Sequence, residues 1–133
     1  MRRLFCFVLV LLMVCTMVLP AAASQDVVQP RWTYLSSVSA ALQINGLGIA
    51  SCSGQALVTS SNRIAVYVTL QQYTDSGWVT LRSWSATGKT TTMAGGQYAV
   101  ARGYTYRVNV TAYVYDGRGN VIETGSASKT CVF

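Results

Sequence analysis

Apolar and polar side chains alternate one by one along most of the chain beyond residue 34. A repeat of two residues is typical of strands that bury one side, whereas helices repeat every three or four residues. Groups of glycine, asparagine, aspartate and serine interrupt the alternation at short intervals, as turns do. The pattern therefore predicts an all-β sandwich of about seven antiparallel strands. The predicted strands cover residues 34–44, 49–58, 63–73, 78–84, 90–100, 103–116 and 121–132.

The sixth predicted strand separates its two sides most clearly. Its even positions, from Tyr104 to Val114, are apolar and are predicted to face the core, while its odd positions are predicted to face solvent. Immunoglobulin-type sandwiches place a tyrosine near the start of this strand, with its hydroxyl bonded to backbone a few residues upstream. The sequence offers Tyr104 or Tyr106 for that position.

The fourth and fifth predicted strands are harder to orient. The fourth has apolar residues at both odd and even positions, so alternation does not show which of its sides faces the core. We expect Trp84 to lie in the core or at its rim, and Trp78, which follows the turn at Gly77, to be exposed. In the fifth strand, Gly95 and Gly96 predict a bulge or a turn.

The first two dozen residues have the pattern of an export signal. A basic pair, Arg2 and Arg3, precedes an uncharged apolar run that ends at a proline and three alanines. The run is shorter than the about 20 residues that span a bilayer, and small residues after it suit signal peptidase. We therefore expect a cleaved signal peptide over residues 1–24 and one secreted domain over residues 25–133, without a membrane span.

Charge and cysteine content bear on partners and cross-links once that segment is removed. Eight basic and four acidic residues remain, a net charge of +4, and the basic residues are scattered singly. Scattered charge gives a mild preference for anionic surfaces and argues against nucleic acid, whose partners cluster basic residues on one face. Cys52 and Cys131 are the two remaining cysteines, which in an oxidising compartment most simply form one disulfide. The alternative is two buried free thiols.

Four stretches together resemble one protein family: WTYLSSVSAAL, ASCSG, LQQYTDSGWVTLRSWSATG and GYTYRVNVTAYVYDGRGNVIE. They span nearly all of the chain after the predicted signal peptide. Their order is similar to that in an uncharacterised family of small secreted proteins of clostridial-type Gram-positive bacteria. The resemblance implies an immunoglobulin-like sandwich outside the cell and supplies no active-site residue.

The polar residues give little support to catalysis. General acid–base chemistry at neutral pH usually recruits histidine or a tuned carboxylate, and the chain has no histidine and four acids, Asp26, Asp75, Asp116 and Glu123. Asp116 and Glu123 flank one hairpin, where we expect both to be exposed. The stretch DGRGN has too few oxygen ligands for a calcium loop, and its glycines suit a turn. We therefore expect neither an enzyme nor a bound metal or cofactor.

Outward-facing tyrosines are the strongest indication of a ligand. Six residues of the third and sixth strands stand at the odd positions that are predicted to face solvent: Tyr67, Tyr73, Arg107, Asn109, Tyr113 and Tyr115. These strands are neighbours in an immunoglobulin-type sandwich, so the six side chains would share one surface. Flat rings beside an amide and a guanidinium suit stacking on sugars and bonding to their hydroxyls. Cross-strand tyrosines also stabilise exposed sheets by about 0.2–1 kcal/mol per pair, so a purely structural role stays open.

Together these observations predict a secreted, non-catalytic binding or envelope-associated module. Its partner would be a cell-wall or host glycan, or another surface protein. The alternative is a structural or interaction protein that associates with other protein chains and has no glycan ligand. The sequence indicates no oligomeric state.

Overall fold

Seven antiparallel strands build residues 31–133, the part of the chain that this computed structural model describes. They are β1 (Leu35–Ile44), β2 (Ile49–Val58), β3 (Arg63–Thr74), β4 (Gly77–Lys89), β5 (Thr91–Ala99), β6 (Thr105–Tyr115) and β7 (Val121–Val132). The predicted signal peptide lies outside the described residues. The alternation thus predicted each strand, although β4 continues well beyond Trp84.

The strands form two sheets that share one apolar core, a β-sandwich-like arrangement. Sheet 1 has the strand order β1-β2-β5, and sheet 2 has the order β4-β3-β6-β7. The two central strands of sheet 2 supply the largest fully buried side chains: Ile64, Val66, Val68, Leu70, Tyr106, Val108, Val110 and Val114. Sheet 1 contributes smaller groups, among them Ala50, Gly54 and Ala56. A side chain at Gly54 would overlap Val110 and Val68, so the sheets meet closely there.

A bulge in β4 explains why its facing could not be predicted from alternation. The β3–β4 register shifts between Leu70 and Gln71, which leaves Leu81 as an extra residue on β4. Before the shift, Trp78 pairs with Tyr73 on the outward side of sheet 2. After it, Trp84 pairs with the fully buried Val68 and packs against the core, as expected. An extra residue exchanges the two sides of a strand, so two even-numbered tryptophans face opposite ways.

The glycine pair in β5 does not form the predicted bulge or turn. The β2–β5 register runs without a shift past Gly95 and Gly96. A side chain at Gly95, whose φ is +152°, would overlap the Cys52 carbonyl, and one at Gly96 would overlap the Trp84 indole. The two glycines therefore permit a close approach of backbone and ring.

One of the two candidate tyrosines makes the predicted bond at the start of β6. Tyr106 is fully buried, and its hydroxyl donates a hydrogen bond to the Ala101 carbonyl at 2.6 Å. Burial raises the pKa of this hydroxyl. Tyr104 was predicted to face the core with Tyr106, and this is wrong: it precedes β6 and is 43% exposed. Strand alternation does not orient a residue that lies before the strand begins.

The predicted disulfide between Cys52 and Cys131 is absent, and both thiols are free. Cys52 is buried in β2, the central strand of sheet 1, whereas Cys131 lies on β7, an edge strand of sheet 2. The Cys131 thiol instead donates to the Val132 carbonyl at 3.6 Å. Burial raises the pKa of the Cys52 thiol to about 11, because the thiolate would lose its hydration. The free-thiol alternative therefore describes the structure, with Cys52 buried and Cys131 partly exposed.

Candidate functional site

The outward side of sheet 2 gathers side chains that contact one another across β3, β4 and β6. We call this surface the aromatic face; it consists of Arg63, Tyr67, Gln71, Tyr73, Trp78, Lys89, Arg107, Asn109, Tyr113 and Tyr115. All six residues predicted from parity lie on it, because β3 and β6 are neighbours and pair in register. The structure divides them among three contact groups along the strands.

The first group stacks a cation and two rings. The Arg107 guanidinium lies over the Trp78 ring, with Cζ 4.1 Å from the ring centroid. The Tyr73 and Trp78 ring centroids are 5.1 Å apart at an interplanar angle of 59°. A guanidinium over an aromatic face contributes about 0.5–1 kcal/mol at an exposed site, so these contacts hold Arg107 flat against the sheet. Tyr73 remains 54% exposed beside it.

Gln71 connects this group to further polar side chains. Its Oε1 accepts hydrogen bonds from Arg107 Nε at 2.7 Å and from Asn109 Nδ2 at 2.9 Å, and its Nε2 donates to Thr80 Oγ1 at 3.2 Å. Among the described residues, the bond from Nε is the one side-chain hydrogen bond that Arg107 makes. Its terminal Nη groups are therefore available to a ligand, and so is the Asn109 carbonyl oxygen.

The second group is a pair of tyrosines near the middle of the face. The Tyr67 and Tyr113 ring centroids are 5.6 Å apart at an interplanar angle of 77°. Edge-to-face pairs of this kind contribute about 0.5–1.5 kcal/mol beyond their burial. Tyr67 keeps 46% of its surface exposed, and Tyr113 is half-buried. The pair is thus partly structural and still offers a ring to a ligand.

The third group lies at the opposite end of β3. The Arg63 guanidinium lies over the Tyr115 ring at 4.5 Å, and Arg63 pairs with Lys89 on its other side. These three residues line an open cleft of about 440 Å³ together with Asn62 and Asp116. The Asn62 amide donates to the Tyr115 carbonyl at 2.9 Å, which ties the loop before β3 to β6.

A second cleft borders the first group. It has a volume of about 660 Å³ and is lined by Tyr73, Asp75 and Tyr104 with the neighbouring backbone. Tyr104 is exposed because it precedes β6, and it thereby adds a ring to this end of sheet 2. Parity had assigned Tyr104 to the core, so this neighbour of the face was missed.

Four members of the face were absent from the six predicted residues. Arg63 and Gln71 stand at odd positions of β3, as Tyr67 does, so the alternation was sufficient to place them on the outward side. Lys89 and Trp78 lie on β4, where the bulge makes parity misleading. Their position follows from pairing with β3, which the sequence does not show.

Asp116 accepts hydrogen bonds from its own turn. Its Oδ1 accepts from the backbone N–H groups of Arg118 and Asn120 at 2.8 and 2.9 Å. The backbone hydrogen bond from Asn120 is the largest cause that lowers the pKa of Asp116. Gly119 has a φ of +85°, so the DGRGN stretch is a turn, as predicted.

Glu123 was expected to be exposed, and it is instead half-buried. Its carboxylate accepts hydrogen bonds from the backbone N–H groups of Thr33, Tyr34 and Leu35, at 3.0 Å, 3.0 Å and 2.8 Å. The β6–β7 register shifts between Val114 and Tyr115, and Glu123 pairs with the core-facing Val114. This shift turns the carboxylate towards the chain that leads into β1. Glu123 therefore ties residues 33–35 to β7, and we call this contact the clamp. The Asp116 carboxylate is bonded within its own turn.

Within residues 31–133, no three histidine, cysteine, aspartate or glutamate side chains form a group that could hold a metal ion. That part of the chain also has no helix of the length and apolar character needed to cross a membrane. Comparison of the chain with family models gave no match, and a search of curated proteins also gave none. The resemblance to a clostridial secreted family therefore stays a prediction.

Proposed function

We propose that this protein is a secreted, non-catalytic binding module with an immunoglobulin-like fold, and that it recognises glycans through the aromatic face. One observation carries the proposal. Exposed rings and polar groups that are available for hydrogen bonds lie along the same two strands, from Tyr115 to Tyr73. Glycan sites combine these two elements because rings stack on the apolar faces of sugars while amides and guanidinium groups bond to hydroxyls.

The immunoglobulin-like part of the proposal is supported by strand order. Sheet 1 joins the first, second and fifth strands, and the third and sixth strands are neighbours in sheet 2, as in immunoglobulin-type sandwiches. The bond from Tyr106 to the Ala101 carbonyl has the form of a tyrosine corner. One departure from the constant-domain arrangement is that β4 pairs with β3 rather than with β5.

A non-catalytic role is supported by what two of the four carboxylates do. Asp116 accepts hydrogen bonds within its turn, and Glu123 accepts three from the chain before β1. General acid–base catalysis requires a group that is free to exchange a proton with a substrate. A carboxylate that already accepts backbone hydrogen bonds is poorly suited to that exchange.

The test is a glycan array probed with the purified secreted protein and with two variants, Tyr67→Ala and Tyr73→Ala. We expect at least one glycan class to bind, and each variant to weaken that binding about tenfold or more. Tyr98→Ala is the matched control, since Tyr98 is 36% exposed on β5 of the other sheet. It should keep affinity within about twofold. Thermal unfolding of all three variants shows whether a loss reflects binding or folding.

No binding to any glycan, or equal losses in the control, would overturn the glycan proposal. The second candidate function, association with other protein chains, is favoured by the edge of sheet 2. β4 is a long edge strand, Gly77–Lys89, and its outer backbone groups have no partner strand in the described chain. Edges of this kind accept a further strand. Concentration-dependent assembly without glycan binding, measured by sedimentation, supports that alternative.

A further inference from the structure

Charged side chains are distributed unequally between the two sheets. The strands of sheet 1 contain no lysine, arginine, aspartate or glutamate. The strands of sheet 2 carry five basic residues and one acid: Arg63, Arg82, Lys89, Arg107, Lys129 and Glu123. The strand charges are therefore confined to one layer of the molecule, the layer that bears the aromatic face.

Within residues 31–133, no carboxylate is bonded to the cations of the aromatic face. Glu123 directs both oxygens at the backbone of residues 33–35. Asp116 lines the same cleft as Arg63 and Lys89, but its Oδ1 accepts hydrogen bonds from the turn that it begins. Among the described residues, no hydrogen bond joins a carboxylate to Arg63, Lys89 or Arg107. Their positive charge is thus available to an anionic partner.

The two arginines lie at opposite ends of the face, and each is held over a ring. Arg63 lies over Tyr115 at one end, and Arg107 lies over Trp78 at the other. Arg107 pairs with Gln71, eight residues along β3 from Arg63, and a strand advances about 3.4 Å per residue. The backbone positions of the two arginines are therefore about 27 Å apart along the sheet, with the tyrosine pair between them. That spacing suits an extended ligand rather than a small molecule.

We propose that the ligand of the aromatic face is a linear polysaccharide that carries anionic groups and lies along β3 and β6. This inference rests on the proposed function and names its ligand class. Sugar rings stack on Tyr67 and Tyr73, while carboxylate, sulfate or phosphate groups bond to the cations at the two ends. A guanidinium fixed by a ring loses little freedom on binding an oxyanion, and its planar donors match oxyanion geometry.

The experiment compares matched charged and neutral polymers. The purified secreted protein is titrated with dextran sulfate against dextran, and with carboxymethylcellulose against hydroxyethylcellulose, with single-stranded DNA as a third polyanion. At least one anionic polysaccharide should bind about tenfold or more tightly than its neutral counterpart and than the DNA. Its affinity should fall as salt is added, because salt screens exposed charges.

A charge-matched pair of variants then locates the site. Arg63→Gln combined with Lys89→Gln removes two cations of the face and should weaken binding about tenfold or more. Arg82→Gln combined with Lys129→Gln removes the same charge where the paired residues, Leu70 and Val108, point into the core. This control should bind within about twofold of the unchanged protein.

The outcomes separate the two proposals. Equal binding of charged and neutral polymers overturns the anionic ligand and leaves glycan recognition standing. Equal losses in the two double variants show that net charge alone drives binding, which also overturns the site. Tighter binding of the DNA assigns the face to nucleic acid. Binding to none of the polysaccharides, together with a blank glycan array, overturns the proposed function as well.

Discussion

The two outward surfaces of the sandwich are built by the same alternation and differ in their rings and charges. Sheet 1 exposes serine, glutamine, alanine, glycine and threonine, with Met93 as its large exposed apolar side chain. Sheet 2 exposes the rings and cations of the aromatic face. Burial requires only that the inward half of each strand be apolar. Folding therefore does not explain the difference between the outward halves, and that difference points to function.

The close approach of β2 and β5 in sheet 1 gives the largest expected effect on the free energy of unfolding. Gly95→Ala should destabilise the protein by about 2–4 kcal/mol, because a residue with a side chain is strained at this φ and its Cβ would overlap the Cys52 carbonyl. Gly46→Ala is the control, since nothing lies within 4 Å of its added Cβ. It should be neutral or stabilising by up to about 1 kcal/mol. Urea unfolding measures both, and equal values would show that β2 and β5 are not in close approach.

The clamp formed by Glu123 gives the next largest effect. Glu123→Ala removes an acceptor shared by three backbone N–H groups and should cost about 1–3 kcal/mol of unfolding free energy. Glu123→Gln keeps one acceptor oxygen and should cost less. Asp75→Ala, in the exposed β3–β4 turn, is the control for removing a negative charge. If it costs as much as Glu123→Ala, net charge is responsible and the clamp is not.

The last effect concerns Cys52, a titratable group within sheet 1, and it is absent at neutral pH. Its pKa is about 11 in the folded protein and about 9 in an exposed thiol, so the folded state holds the proton more tightly. Stability from this group is complete below pH 9 and falls as pH rises towards 11. Unfolding free energies measured across that range should fall more steeply for the unchanged protein than for Cys52→Ala. Parallel curves would contradict the burial of this thiol.

Strand positions could be predicted well from the sequence, because burying one side of a sheet imposes a two-residue period. The limits of β2 were predicted to the residue, and the core side of β6 was predicted correctly from Tyr106 to Val114. Parity failed at Tyr104, which precedes the strand, and it left the facing of β4 open because a bulge interrupts that strand. Both limits have one cause: alternation reports facing only within an uninterrupted strand.

The candidate site was predicted in part for the same reason. Outward parity brought together residues of β3 and β6, but it could not show that Arg107 lies on Trp78 or that Arg63 pairs with Lys89. Those contacts depend on the pairing of β4, which is a property of the folded chain. The disulfide prediction failed as well: both thiols are free, with Cys52 on the central strand of sheet 1 and Cys131 on an edge strand of sheet 2, and the pairing of cysteines depends on such placement rather than on their number.

The confinement of strand charge to sheet 2 has a consequence for orientation. Five cations and one anion in one layer, and none in the other, contribute an electric dipole across the thickness of the sandwich. Near an anionic matrix the field exerts a torque on such a dipole and turns sheet 2 towards the matrix. The serine- and glutamine-rich layer is then presented to the surroundings. A matrix covered by these molecules would acquire a hydrophilic coating that carries little charge.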